Sequence, residues 1–227
     1  MTTFLRVAGL VVRKDLTVEV RSREIVYTTI FFAVSCVLVF AFALVREGRP
    51  LEDAAAGIMW ISVAFAGTLA LGRTFERERH SETLRALMLA PASRPALYVG
   101  KLVGIVLLLL VVEAVLVPLV GLLFHAPIGS SPFRLAALLV LGTIGFSAVG
   151  TLFAAMLVRA RSRDVMLPIL LYPITIPVII AGVRGTAALF EPVPAVDLAD
   201  MWMALLAFFD IVFVTLALWT FEPLMTE

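Results

Sequence analysis

Two carboxylates stand where a carboxylate is costly. Glu113 and Asp210 each lie near the middle of a long apolar run. A lone charge at that depth in a bilayer costs roughly 2.5–3.5 kcal/mol or more, and it faces a bundle interior, a water path or a partner. No Lys, Arg or His lies within the apolar runs to neutralise either one. Two roles are open for them: a part in transport or coupling, or polar contacts that join helices within the bundle or across a subunit interface. A second concentration of chemistry is residues 73–101, which carry a third of all Lys and Arg. Phe75, Leu84, Leu87 and Met88 share a face there, against Glu76, Arg77, Arg79, Glu82 and Arg85. Ser81 can cap a helix that stops before Pro91. Apolar residues mixed with dense charge suit a protein groove better than water. The stretch is therefore read as a docking helix along the membrane surface, set against the plainer reading of a solvated charged loop.

Other chemistry is absent from the sequence. His80 and His125 fall on opposite sides of the membrane in the topology below, so they cannot share a metal. No GxxxxGK[ST] phosphate loop occurs; Gly100-Lys101 lacks the upstream glycine spacing and a following Ser or Thr, and is read as marking the chain's return to the membrane. Cys36 is the single cysteine, so no disulfide can form within the chain. No catalytic, cofactor-binding or metal-ligating set is expected.

These groups must be positioned by membrane elements. The composition is 62% hydrophobic and 15% charged, with mean hydropathy +1.07. Soluble domains carry about 25% charge. Six apolar runs, near 25–45, 54–72, 102–124, 135–158, 165–183 and 201–221, approach the roughly 20 residues a helix needs to cross a bilayer. None alternates with period two, and lipid cannot satisfy open backbone groups, so each run is a helix. The expected fold is an all-α integral membrane protein with one permease domain. Of eighteen Lys and Arg, fourteen fall before span one, between spans two and three, and between four and five. That bias places both termini and the 73–101 segment in the cytoplasm. The net charge of +1 gives no reason to expect nucleic acid.

The remaining stretches have local readings. Residues 1–24 form an amphipathic helix in the headgroup layer, with Leu5, Val12, Leu16 and Val20 as its apolar stripe and Arg and Lys snorkelling from it. Pro168, Pro173 and Pro177 make span five either a flexing element or a membrane helix that happens to be rich in proline. Gly142, Gly145 and Gly150, with Ser147 and Ala148, give span four a face for close packing. Trp202 and Trp219 flank span six as interfacial anchors, and Trp60 has no assigned role. Residues 184–200 are too apolar for a free loop, and a short hairpin dipping into the outer interface is expected.

Six spans, no ATPase and a short cytoplasmic helix between spans two and three resemble the ABC-2 type permeases. Closer still, the order Gly57 to Trp60, Arg73 to Glu76, Ser81 to Leu84, Leu87 to Leu89 with Pro91, and Gly100-Lys101 resembles the heme exporter protein B family. So do Leu141 to Thr143, the Arg161 to Pro177 stretch, and Arg13 to Asp15 with Glu19, Arg21 and Ser22. The resemblance implies a bacterial inner-membrane subunit for cytochrome c maturation. Its partners would be a cytoplasmic ABC ATPase on a separate chain, a heme-handling membrane protein, a periplasmic heme chaperone and a second copy of the chain. ATP and heme would be bound by those partners, not directly here. Phe75, Glu76, Arg77, Arg79, Ser81, Glu82, Leu84 and Arg85 would form the ATPase-coupling helix. The competing readings are an ABC-2 exporter of a lipid, drug or polysaccharide, and a membrane scaffold that transports nothing.

Overall fold

The computed structural model describes residues 2–46, 49–50, 54–80, 94–157, 160 and 162–224, with only the backbone course for residues 2–3, 45–46, 49–50, 75–80 and 222–224. They form seven long helices: α1 Thr2–Ser22, α2 Glu24–Ala43, α3 Ala55–His80, α4 Arg94–Phe124, α5 Pro132–Met156, α6 Arg163–Phe190 and α7 Val196–Leu224. A two-residue antiparallel pair, Val45–Arg46 with Arg49–Pro50, closes the turn after α2. Helices α2 to α7 are each long and apolar enough to span a membrane.

Side-chain size decides which helices lie inside. Two-thirds of the apolar stretch of α3 and of α5 is buried, against 22% for α7 and 28% for α2. The inner helices carry Ala, Gly and Ser at their contacts: Ala64, Ala66 and Ala70 on α3, Gly145, Ala148 and Ala154 on α5. Small residues let backbones approach where no water drives helices together. The outer helices turn large apolar side chains outward, among them Phe31, Phe42, Phe208, Ile211 and Trp219, as a lipid-facing surface requires. Helix α5 is the hub and packs against α3, α4, α6 and α7.

Several helix ends depart from the expected ones, two of them because the protein buries what reads in sequence as an end or a loop. Span two continues as α3 without a break to His80. Positions 75, 76, 77 and 79 thus prolong a spanning helix and do not begin a separate surface helix. No Gly or Pro interrupts 73–80, and Glu and Arg are good helix formers. Ser81, Glu82, Leu84 and Arg85 lie outside the described residues. Span three starts eight residues early, at Arg94, because Ala96 and Tyr98 are fully buried. The Tyr98 hydroxyl donates to the Ala148 carbonyl at 2.9 Å, and its ring meets Phe221 with centroids 5.3 Å apart. The hairpin expected at 184–200 is absent. Helix α6 runs to Phe190, a turn follows, and α7 starts at Val196. The segment is apolar because Gly185, Thr186, Ala188 and Leu189 face the core as the last turns of α6.

Helix α1 is present, but its contacts are not those of a free interfacial helix. Ala8 and Val11 are buried, while Leu5, Leu16 and Val20 are exposed. The protein-facing stripe is the neighbouring one, and the expected stripe is left to lipid. Gly100 makes this possible: a Cβ there would lie 2.7 Å from Val11 Cβ and 3.0 Å from the Ala8 carbonyl oxygen. Lys101 then reaches Asp15 Oδ2 at 2.7 Å. Gly100-Lys101 is thus the dock for α1, and more than the chain's return to the membrane.

Candidate functional site

The functional geometry centres on α3 and on what grips it at two levels. Near its middle, Trp60 is 2% exposed and sits between α5 and α6. Its Nε1–H donates to Thr186 Oγ1 at 3.0 Å. The indole fits because two facing positions are glycine. A methyl on Gly142 would overlap the ring, and one on Gly182 would lie 2.5 Å from Cε2. Eleven residues on, about 16 Å along the helix axis, Arg163 of α6 takes hold. The residue is 4% exposed, and Nη2 donates to the carbonyls of Leu71, at 3.3 Å, and Gly72. These carbonyls lie just before the polar continuation of α3 at 73–80. Arg163 therefore ties the root of the polar 73–80 stretch to the first turn of the proline-bearing helix. In sequence Arg163 is one of the cations setting orientation and part of the Arg161 to Pro177 stretch, and nothing in its spacing reveals a partner 91 residues away.

Helix α6 itself is continuous through Pro168, Pro173 and Pro177. Each ring removes one backbone donor and crowds the carbonyl four residues before it. Pro173 and Pro177 are exposed, on the lipid side with Ile169, Ile176 and Ile180. The opposite side, Leu167, Leu171, Thr175 and Val178, is buried. Thr175 Oγ1 also donates back to the Leu171 carbonyl at 2.9 Å, a contact that favours bending. The weakened backbone is thus on the outer side, while the inner side is seated against the hub.

The two intramembrane carboxyls do not meet. Glu113, 3% exposed on α4, accepts a short hydrogen bond from Thr143 Oγ1 on α5. Asp210, 7% exposed on α7, lies against Gly145, where a Cβ would come within 2.6 Å of Oδ1. Positions 143 and 145 are about 200° apart around a helix. The acids therefore press on opposite faces of α5. Glu113 Oε2 and both Asp210 oxygens find no hydrogen-bond partner among the described residues. The glycines expected to pack helices do so, and Gly145 also makes the room for a carboxylate.

At the opposite end of the bundle Arg134 Nε holds Asp200 Oδ1 at 3.0 Å, joining α5 to α7. Both groups are exposed, so the pair contributes little energy and mainly fixes geometry. Among the described residues, no three His, Cys, Asp or Glu gather as metal ligands. What the arrangement offers is mechanical: a helix keyed at its middle, held at Leu71 and Gly72, and continuous with a charged stretch to His80.

Curated relatives share this sequence along most of its length. Heme exporter protein B of Paracoccus denitrificans is 34% identical over 181 residues, 78% of this chain and 82% of the relative. The protein of that name from Rhodobacter capsulatus is 30% identical over the same shares. The one from Pseudomonas aeruginosa is 27% identical over 175 residues, 77% of this chain and 78% of the relative. A family model described as CcmB protein matches residues 6–223, which spans α3, both carboxyls and the Arg163 clamp, and the chain belongs to that family.

Proposed function

We propose that this chain is the membrane permease subunit of an ATP-driven heme export system serving cytochrome c maturation. The match to the CcmB family over residues 6–223 is the observation that carries the reading. The sequence holds no phosphate-binding loop, so the energy comes from an ATPase on a separate chain. The membrane is the bacterial inner one, and the Lys and Arg bias supports a cytoplasmic 73–101 segment, where such an ATPase can reach it. Heme and ATP are held by partner subunits: the ATPase, a heme-handling membrane protein and a periplasmic heme chaperone. Two copies of this chain stand together in the complex.

The geometry supports one route for the push. The ATPase seats on the polar continuation of α3, positions 75–79, and on Ser81, Glu82, Leu84 and Arg85. Movement there is passed at Leu71 and Gly72 to Arg163, and so to the first turn of α6. Helix α6 has the bendable outer side and a seated inner side. Trp60 keeps the middle of α3 in register with α5 and α6, so the root moves while the core holds. Glu113 and Asp210 sense displacement of α4 and α7 on the hub helix.

Charge reversal at Arg77 and Arg79 tests this. Loss of ATPase binding, or of the hydrolysis that depends on the permease, is the expected result. Retention of both would remove the coupling role from α3.

A further inference from the structure

At the basic end of the bundle, α1 and α2 meet at Arg23, whose backbone is left-handed with φ 54°. Glu19 Oε1 accepts the Val26 N–H at 2.9 Å, which ties the end of α1 to the first turn of α2. The elbow leaves a groove of about 810 Å³ against α4. The groove changes character along its length. One end is lined by Lys14, Asp15, Glu19, Arg23 and Lys101, whose formal charges sum to +1. Both ammonium groups, Lys14 at 3.1 Å and Lys101 at 2.7 Å, lie on the carboxylate of Asp15. The rest of the lining includes Val26 of α2 and Leu107, Leu108 and Val111 of α4, and Tyr27 joins it to the charged part, its hydroxyl accepting from Arg23 Nη1 at 3.4 Å. Tyr27 is 59% and Val111 49% exposed, so that part opens sideways onto the region lipid occupies.

We infer that this groove binds one anionic phospholipid of the leaflet at the basic end. Its phosphate lies by Arg23 and Lys14, and one acyl chain runs along Leu107, Val111 and Tyr27. A ligand with a negative head and an apolar tail matches both ends at once. A soluble anion would leave the Leu and Val wall unfilled, and an apolar partner helix would bury the charged end without an anion. The bound lipid bridges α1 and α4 beside the Asp15–Lys101 pair, and so holds the N-terminal helix against the permease. That the leaflet is the cytoplasmic one rests on the orientation read from Lys and Arg.

The test is native mass spectrometry of the full chain in mild detergent. Phosphatidylglycerol, phosphatidylcholine or soluble glycerol phosphate is added in separate arms. Phosphatidylglycerol is expected to be retained at one per chain, at least about fivefold over phosphatidylcholine, the preference one added cationic contact supplies. Arg23→Asn, which tolerates the left-handed backbone, should lower that retention about fivefold. Val111→Trp and Leu107→Trp, both on the outward face, should abolish it while helix content and melting temperature stay as in wild type. Equal retention of the two lipids, or full retention by both Trp variants, overturns the inference. So does equal binding of glycerol phosphate, or a photo-crosslinker at position 111 that captures a protein chain in the native complex.

Discussion

Arg163→Gln is the substitution that separates a clamp from a bystander. The residue is 4% exposed and shares one nitrogen, Nη2, between the Leu71 and Gly72 carbonyls. Glutamine is too short to reach them. Both carbonyls keep their helical N–H partners four residues on, so no orphan acceptor is created and the loss is that of the charged donor. A hydrogen bond to a charged group is worth about 1.5–3 kcal/mol. That corresponds to about ten- to a hundredfold in the balance between a seated and a released α3 root. For a chain of this size the same energy lowers the melting temperature by roughly 3–12 °C. The assay pairs thermal melting in detergent with ATP-driven turnover of the purified complex. The ATPase should stay bound, because α3 remains helical to His80, while turnover falls by about tenfold or more. Arg163→Lys keeps the charge but offers a point donor in place of a planar fork, and it should recover part of the loss. A variant that melts within about 1 °C of wild type and turns over normally would refute the clamp.

Three further outcomes follow from the packing. Gly182→Ala places a methyl 2.5 Å from the Trp60 ring and should destabilise by about 1–3 kcal/mol, seen as a lower melting temperature that Trp60→Phe partly restores. Asp15→Ala leaves Lys101, 6% exposed, without that carboxylate; because Asp15 is partly open to solvent, the expected cost is about 1–3 kcal/mol, below the 3–5 typical of a fully buried pair, and protease should cut within α1 faster. Glu113→Gln preserves the hydrogen bond from Thr143 while removing the carboxylate, and should leave assembly intact with reduced coupled activity; wild-type turnover would make Glu113 a packing group alone.

The six spans were legible because a membrane imposes composition on every residue of a span at once. Helix ends were not, because a charged end is polar in sequence whether water or a partner receives it. In sequence Lys101 looks like a marker of the membrane boundary, yet it is buried on Asp15, 86 residues earlier. Residues 184–200 read as a dipping hairpin because they are too apolar for a free loop, yet 184–190 complete α6. Trp60 had no role on its own helix, since its fit depends on glycines at 142 and 182. The carboxyls were found because intramembrane charge is rare. That they press on opposite faces of α5 required knowing which helices flank it.

The central claim is that this chain is a permease driven from outside itself. Extraction of the tagged full chain from its native membrane in mild detergent, with identification of every co-purifying chain, tests it most directly. The account predicts an ABC ATPase in stoichiometric amount together with a heme-containing membrane protein, and loss of the ATPase when Arg77 and Arg79 are reversed. A chain that purifies without any ATPase, under conditions that keep the heme-containing partner, would contradict it.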